Sequence, residues 1–292
     1  MPKDMIAGCF DGYSWDRIQY FVNSVDRCGF TGDKVMIVMG SDKPTVDHLT
    51  AKGWQVVHYG PWDAMGNPLA ERGQLTVHVL RFYYLARFLG SLPPEKKPRY
   101  VITADVKDVV FQENPIPRME AMVIGPGGKE LIAASESIRY RDEFWGDRNL
   151  LETFDPMLHA RYRDETIYNV GVMAGTCRLV VEIAQLIFQL SLGRRMPVVD
   201  QAIYNYLLYQ SFLASHVCFL PSEAGWACHL GTTHDPTLTE KFSPFLLEPV
   251  PRIVLDGVPH VETNSGVRYT IVHQYDRVPA LKVAMEAAYG GG

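Results

Sequence analysis

The chain is poor in the features that mark several common classes of protein. Cysteine is scarce: Cys9, Cys28, Cys177, Cys218 and Cys228 are the only five in 292 residues, widely spaced and odd in number. No C-x-x-C pair is formed, which excludes a zinc knuckle or dithiol motif and points to buried free thiols. Positive charge is not in excess, since 28 Lys and Arg stand against 33 Asp and Glu for a formal net charge of −5. A protein that coats phosphates usually has the opposite balance, so no nucleic-acid partner is expected. Long apolar runs are missing too. The longest candidate, Leu179 to Leu192, is broken by Glu182, Gln185 and Gln189 and is too short to span a bilayer, so no transmembrane segment is expected. Met1-Pro2-Lys3-Asp4 leads into a strand-like stretch without a signal-peptide apolar region, and a cytoplasmic setting is expected. Finally, the chain has no G-x-x-x-x-G-K-[ST], G-x-G-x-x-G, H-E-x-x-H or G-x-S-x-G motif. Gly125-Pro126-Gly127-Gly128 reads as a loop tip. An α/β protein without a glycine-rich cradle needs a metal ion to hold a diphosphate.

What is present is a globular pattern: 47% hydrophobic and 21% charged residues, with Gly and Pro spread along the chain. Strand and helix alternate through the first hundred residues. Met5 to Phe10, Lys34 to Met39 and Trp54 to Tyr59 read as strands. Between them lie helices from Ser14 to Cys28, with Ile18, Phe21, Val22 and Val25 on one face, and around Val46 to Lys52. A longer helix over Gln74 to Leu89 precedes a strand at Tyr100 to Ala104. Further strands are predicted at Leu131 to Ser135, Ile167 to Met173, Val217 to Leu220 and Tyr269 to Val272, with helices at Leu179 to Leu192 and Asp200 to Tyr209. The segments 140–166 and 225–267 read as long loops with a role in substrate contact. The rhythm predicts one α/β domain with a mixed, mostly parallel central sheet flanked by helices.

The most informative segment is Asp105-Val106-Lys107-Asp108-Val109-Val110-Phe111, at the end of an apolar strand. Ligands of open α/β sheets bind outside the carboxyl ends of the strands. Two carboxylates in one turn repel unless a cation lies between them, and oxygen ligands suit Mg²⁺ or Mn²⁺. The structural alternative has Asp105 capping a turn and Asp108 pairing with Lys107 or a surface arginine.

With Gln112 and Asn114-Pro115 behind it, this segment resembles the metal-binding stretch of GT-A-fold glycosyltransferases, which carry Asp-x-Asp after an apolar strand. Three more segments resemble that group in the same order, and in the order of glycogenin-like members: Tyr168-Asn169-Val170-Gly171-Val172-Met173, Val199-Asp200-Gln201 with Asn205, and Ile271-Val272-His273-Gln274-Tyr275. Here the signature is Asp-x-x-Asp, and glycogenin's lysine-containing tail after the histidine is replaced by a stretch offering Arg277. The resemblance implies a GT-A-like domain over 1–292, with a nucleotide-binding half at about 1–115 and a sugar and acceptor half at about 116–292. It implies a metal-dependent transfer of a sugar from a nucleoside-diphosphate donor, a UDP- or GDP-sugar, to a hydroxyl of a saccharide or other acceptor, with retention of configuration.

The same resemblance assigns Asp105, Asp108 and His273 to Mn²⁺ or Mg²⁺, and Asp200 and Gln201 to the reacting sugar. Cys9, Phe10, Tyr13, Arg81, Asp105, Asn169 and Gly171 fall to the donor. Several have a plain structural alternative: Asp200 as a helix N-cap, Asn169 closing a strand edge, Gly171 as a bulge, Arg81 on a solvated helix face, Phe10 in the core, and His273 as a core or surface histidine. Glu136 is placed to face the cleft, and with Asp142 and Asp235 is a candidate base for an inverting reaction. Gly225-Trp226-Ala227-Cys228-His229-Leu230-Gly231 is the candidate acceptor segment. A nucleotidyltransferase that makes nucleotide sugars is a competing reading, although Gly8-Cys9-Phe10-Asp11-Gly12 lacks the basic loop it needs; a non-catalytic sugar- or nucleotide-binding scaffold is another.

Overall fold

The computed structural model describes residues 3–59, 75–122, 124–125 and 128–291. Gln74 and the Pro126-Gly127 tip lie outside the described residues. The amino-terminal half runs β1 (Met5–Asp11), α1 (Trp15–Arg27), β2 (Asp33–Gly40), α2 (Lys43–Ala51), β3 (Gln55–His58), α3 (Val77–Ser91), β4 (Tyr100–Ala104), β5 (Val109–Phe111) and α4 (Pro115–Ala121). The middle of the chain contributes β6 (Leu131–Arg139), α5 (Phe144–Thr153), α6 (Pro156–Tyr162), β7 (Thr166–Tyr168), β8 (Val172–Thr176), α7 (Cys177–Ser191), α8 (Asp200–Leu208), α9 (Ser211–Ala214) and β9 (Val217–Leu220). The last part holds β10 (Ala227–His229), α10 (Leu230–Thr233), α11 (Thr239–Phe242), β11 (Arg252–Val254), β12 (His260–Glu262), β13 (Ile271–His273) and α12 (Pro279–Tyr289).

The main sheet has the order β3-β2-β1-β4-β8-β6-β7, with β9 beside β6. β1, β2, β3 and β4 pair in parallel, β9 joins β6 in parallel, and β8 is antiparallel to both β4 and β6. Both faces of this sheet are covered, which is why its central strands read as continuous apolar runs rather than alternating ones. Met5 and Ala7 of β1 point to the layer containing α3 and α7, while Ile6 and Phe10 point to α1. The predicted face of α1 is the buried one: Ile18, Phe21, Val22 and Val25 all lie in the second core.

The structure departs from the sequence reading in three places. The single strand expected over Ile167 to Met173 is two strands, because Oδ1 of Asn169 accepts from the Gly171 amide at 2.6 Å and turns the chain between them. The long loops over 140–166 and 225–267 contain short helices and strands. Their helices are too brief for a periodic apolar face, and some are defined instead by capping: Asp155 accepts from the Met157 and Leu158 amides at 2.7 and 2.9 Å to start α6. Third, the strand expected over Tyr269 to Val272 is β13 (Ile271–His273), which joins β5 and β10 in a small sheet of order β10-β13-β5 outside the main one. All five cysteines are free thiols, and no helix among the described residues is long and apolar enough to cross a membrane.

Trp226 is 1% exposed and packs in the core beneath α1 with Phe111, Ala227 and Ile271, so the aromatic of the candidate acceptor segment is a core residue. Trp226→Ala is therefore expected to cost about 3–5 kcal/mol of unfolding free energy by chemical denaturation. A loss well under 1 kcal/mol would contradict that placement.

Candidate functional site

The chain leaves β4 at Ala104 and turns through Asp105 to Asp108 before β5 begins. The Asp105 amide donates to the Gly171 carbonyl at 2.8 Å, which ties the turn to the break between β7 and β8. β13 runs antiparallel to β5 and sets His273 opposite Val109, while the Gln274 amide donates to the Asp108 carbonyl at 2.8 Å. Asp105, Asp108 and His273 thus converge, with one potential ligand atom from each all within 4.8 Å of one another. Nε2 of His273 is 3.7 Å from carboxylate oxygens of both aspartates.

Burial sets the chemistry of this cluster. It pushes Asp108 up to about 6, with Asp276 adding to the effect and Lys107 and Arg277 opposing it. It pushes His273 down to about 3, with Arg81 acting in the same direction. A neutral imidazole with two carboxylates is a donor set that fits a hard or borderline divalent cation such as Mn²⁺ or Mg²⁺. Room is kept by Gly171: a Cβ there would sit 2.5 Å from Cε1 of His273, 2.7 Å from Oδ1 of Asn169 and 2.9 Å from Oδ2 of Asp105. The residues present therefore fit a metal ion. Asp105 does not cap its turn, and Lys107 pairs with Asp276 at 3.2 Å rather than with Asp108.

Arg81, on α3, is not on a solvated face. It is largely buried, ion-paired to Asp105, and its Nη2 lies 3.0 Å from Oδ2 of Asp200. Asp200 is the first residue of α8 rather than its N-cap, which is Val199, and its carboxylate serves Arg81 instead of the helix amides. Next to it, Gln201 donates to Oε1 of Glu136 at 2.9 Å, and Asn169 donates to the same oxygen at 2.6 Å. Thr232 donates to Oε2 at 3.3 Å. Burial, then the charge of Glu143, pushes Glu136 up to about 7 in spite of these three donors. Glu136 precedes Ser137, whose φ of 63° is in the left-handed region, and the register of β6 against β7 shifts between Ser135 and Arg139.

These groups share one cavity of about 720 Å³. Cys9, Phe10 and Tyr13 line one part of it; Phe10 is fully buried and stacks on Tyr13 with centroids 6.1 Å apart. Arg81, Asp105, Asp108, Glu136, Asn169, Gly171, Asp200, Gln201 and His273 also line it, as do Lys107 and Arg277. Every residue singled out for the donor, the metal or the reacting sugar is thus brought to one place. Asp235 reaches the cavity as well, whereas Asp142 is not among its lining residues. Phe144 and Trp145 were missed: they line the cavity on α5 while 58% and 45% exposed. A short helix inside an apparent loop gives no sequence signal for them. For Glu136 the signal was there, since Ser135-Glu136-Ser137 is a polar triplet inside an otherwise apolar strand.

Neither a protein-family profile nor a curated protein matches the sequence. Among solved structures, the chain is similar to the apo structure of WbbM, a bifunctional glycosyltransferase, at 13% identity and a TM-score of 0.61. The likeness covers 99% of this chain and 50% of that one, so the chain spans half the length of this neighbour. At that identity the likeness carries the fold: a mixed α/β domain with a mostly parallel central sheet flanked by helices, GT-A-like in form.

Two expected outcomes follow from the site's geometry. Glu136 retains a proton in the folded chain that the unfolded chain, at an ordinary 4.5, gives up. Its contribution to stability is complete below pH 4.5, declines between 4.5 and about 7, and is absent above. Glu136→Gln copies the protonated form, so its stability relative to the parent should rise across that window by about 3 kcal/mol, read by denaturation at several pH values. A difference that does not vary with pH would contradict this. Gly171→Ala should weaken Mn²⁺ binding at least tenfold by calorimetric titration, on the scale of disturbing a ligand-orienting contact; an unchanged affinity would show that the cradle is not needed.

Proposed function

We propose that the chain is a metal-dependent glycosyltransferase that moves a sugar from a nucleoside-diphosphate donor to an acceptor hydroxyl. The observation that carries this reading is the convergence of Asp105, Asp108 and His273 at the strand ends, on a cavity that also receives Asp200 and Gln201. Asp105, Asp108 and His273 would hold Mn²⁺ or Mg²⁺. The chemistry such an ion supplies when bound is neutralisation of a leaving diphosphate.

The remaining roles belong to the chain's own residues. Tyr13, backed by the buried Phe10 and with Cys9 on the same wall, offers the flat aromatic surface that suits a nucleobase, UDP or GDP being the expected carriers. Lys107 and Arg277 add positive charge beside the acid turn, which favours a phosphate arriving from that side. Arg81 fixes the spacing of Asp105 and Asp200 by pairing with both. Asp200 carries negative charge to where positive charge develops on the sugar, and Gln201 and Asn169 supply amide groups for its hydroxyls. Glu136, set near neutrality by burial, holds a proton at the same place and can give or take one at Oε2. A saccharide or other hydroxyl acceptor enters past Phe144 and Trp145, whose exposed rings flank the cavity. In this scheme the nucleotide half is about 1–115 and the sugar and acceptor half about 116–292. Retention of configuration belongs to the same proposal.

The test is a thermal-shift panel of UDP, GDP, CDP and ADP, each with Mn²⁺, Mg²⁺ or EDTA. One nucleoside diphosphate should raise the melting temperature by several degrees in the presence of metal at a concentration well above its Kd, and EDTA should abolish the shift. Asp108→Asn should lose the metal-dependent part. No shift with any base would overturn the transferase reading in favour of a non-catalytic scaffold.

A further inference from the structure

His229 and His273 sit opposite each other on the paired strands β10 and β13, both buried. Their Nδ1 atoms are 3.0 Å apart and their rings are perpendicular. Two N–H groups cannot share that distance, and two lone pairs would repel, so one proton lies between the rings. The question is which ring owns it.

The metal reading answers it. Nε2 of His229 is buried with no hydrogen-bond partner, whereas Nε2 of His273 is on the side of the two aspartates. For His273 to ligate a cation beside Asp105 and Asp108, its Nε2 must present a lone pair, so the shared proton belongs to Nδ1 of His273 and Nδ1 of His229 is the acceptor. His273 then donates from Nδ1, and its Nε2 lone pair is free on the side of Asp105 and Asp108, 3.7 Å from each. The opposite tautomer would aim an N–H at the place where a cation would bind. Metal-ligating histidines generally have their second nitrogen fixed by a carboxylate, carbonyl or water. In this chain another imidazole occupies that position.

We propose that His229 is a positioning residue that locks His273 in the tautomer able to ligate a metal through Nε2. The proposal rests on the reading of Asp105, Asp108 and His273 as a metal site, and its test separates the two. Long-range ¹⁵N NMR of the imidazoles in the metal-free chain should show His273 protonated on Nδ1 and His229 on Nε2. Titration with Mn²⁺ should then give a 10- to 100-fold weaker Kd for His229→Leu, which removes the acceptor. His229→Asn, whose Oδ1 can stand where Nδ1 stood, should stay within about threefold of the parent. An Nε2-protonated His273 in the parent, an unweakened His229→Leu, or equal losses in both variants would each overturn the proposal. If His229→Leu does not fold, as judged by circular dichroism, the NMR assignment and the asparagine variant decide. Failure of the parent chain to bind either Mn²⁺ or Mg²⁺ would instead refute the metal site, while the tautomer measurement would still judge His229.

Discussion

The cleft depends on the pairing of β13 with β5. Three residues on each side are enough to set His273 across from Val109 and to bring the Gln274 amide onto the Asp108 carbonyl. Apolar packing holds that short ladder in place, since Val110, Cys228, Leu230, Tyr269, Val272 and Tyr275 form a core of their own between the small sheet and α12. Backbone pairing of this length would be marginal without such a core. The placement of the polar cluster is thus secured by hydrophobic burial behind it.

The acidic residues of the site fall into two electrostatic groups. Asp105 and Asp200 share Arg81, so their charges are met by a fixed guanidinium. Among the described residues no arginine is ion-paired to Asp108 or Glu136, and burial raises both. Carboxyl groups whose environments drive them apart in this way can do different work in one cavity, those on Arg81 holding charge and Glu136 exchanging a proton. The division follows from which element each residue is on: α3 supplies the arginine to the ends of β4 and α8, and does not reach β6 in the same way.

Much of this architecture was legible in the sequence. The central strands are long and apolar, and β4 and β9 have the bounds that their composition implies. The four motif segments also converge as their order suggested. What was not legible depends on tertiary contacts. The turn at Asn169 to Gly171 interrupts a stretch that reads as one strand, because a side-chain hydrogen bond wins over β propensity. Trp226 falls in the candidate acceptor segment, and only the packing of the small sheet onto α1 shows it to be core. The facing of His229 and His273 is set by strand register, which no spacing along the chain encodes. Arg81 was legible as a charge near the site, but its pairing with two aspartates from different elements was not.

Among the described residues, two that are not glycine have a left-handed backbone: Ser137, directly after Glu136, and Gln274, directly after His273. Each such residue costs about 1–3 kcal/mol relative to a relaxed backbone. Glycine would relieve that cost but would remove the side chains that hold both corners. Oγ of Ser137 donates to Glu248 at 2.6 Å, and Oε1 of Gln274 accepts from the Gly231 amide at 3.0 Å. Folding therefore completes the conformational work before any ligand arrives. An incoming substrate meets a preorganised surface at these two corners, and the entropy of shaping them does not have to come out of its binding energy.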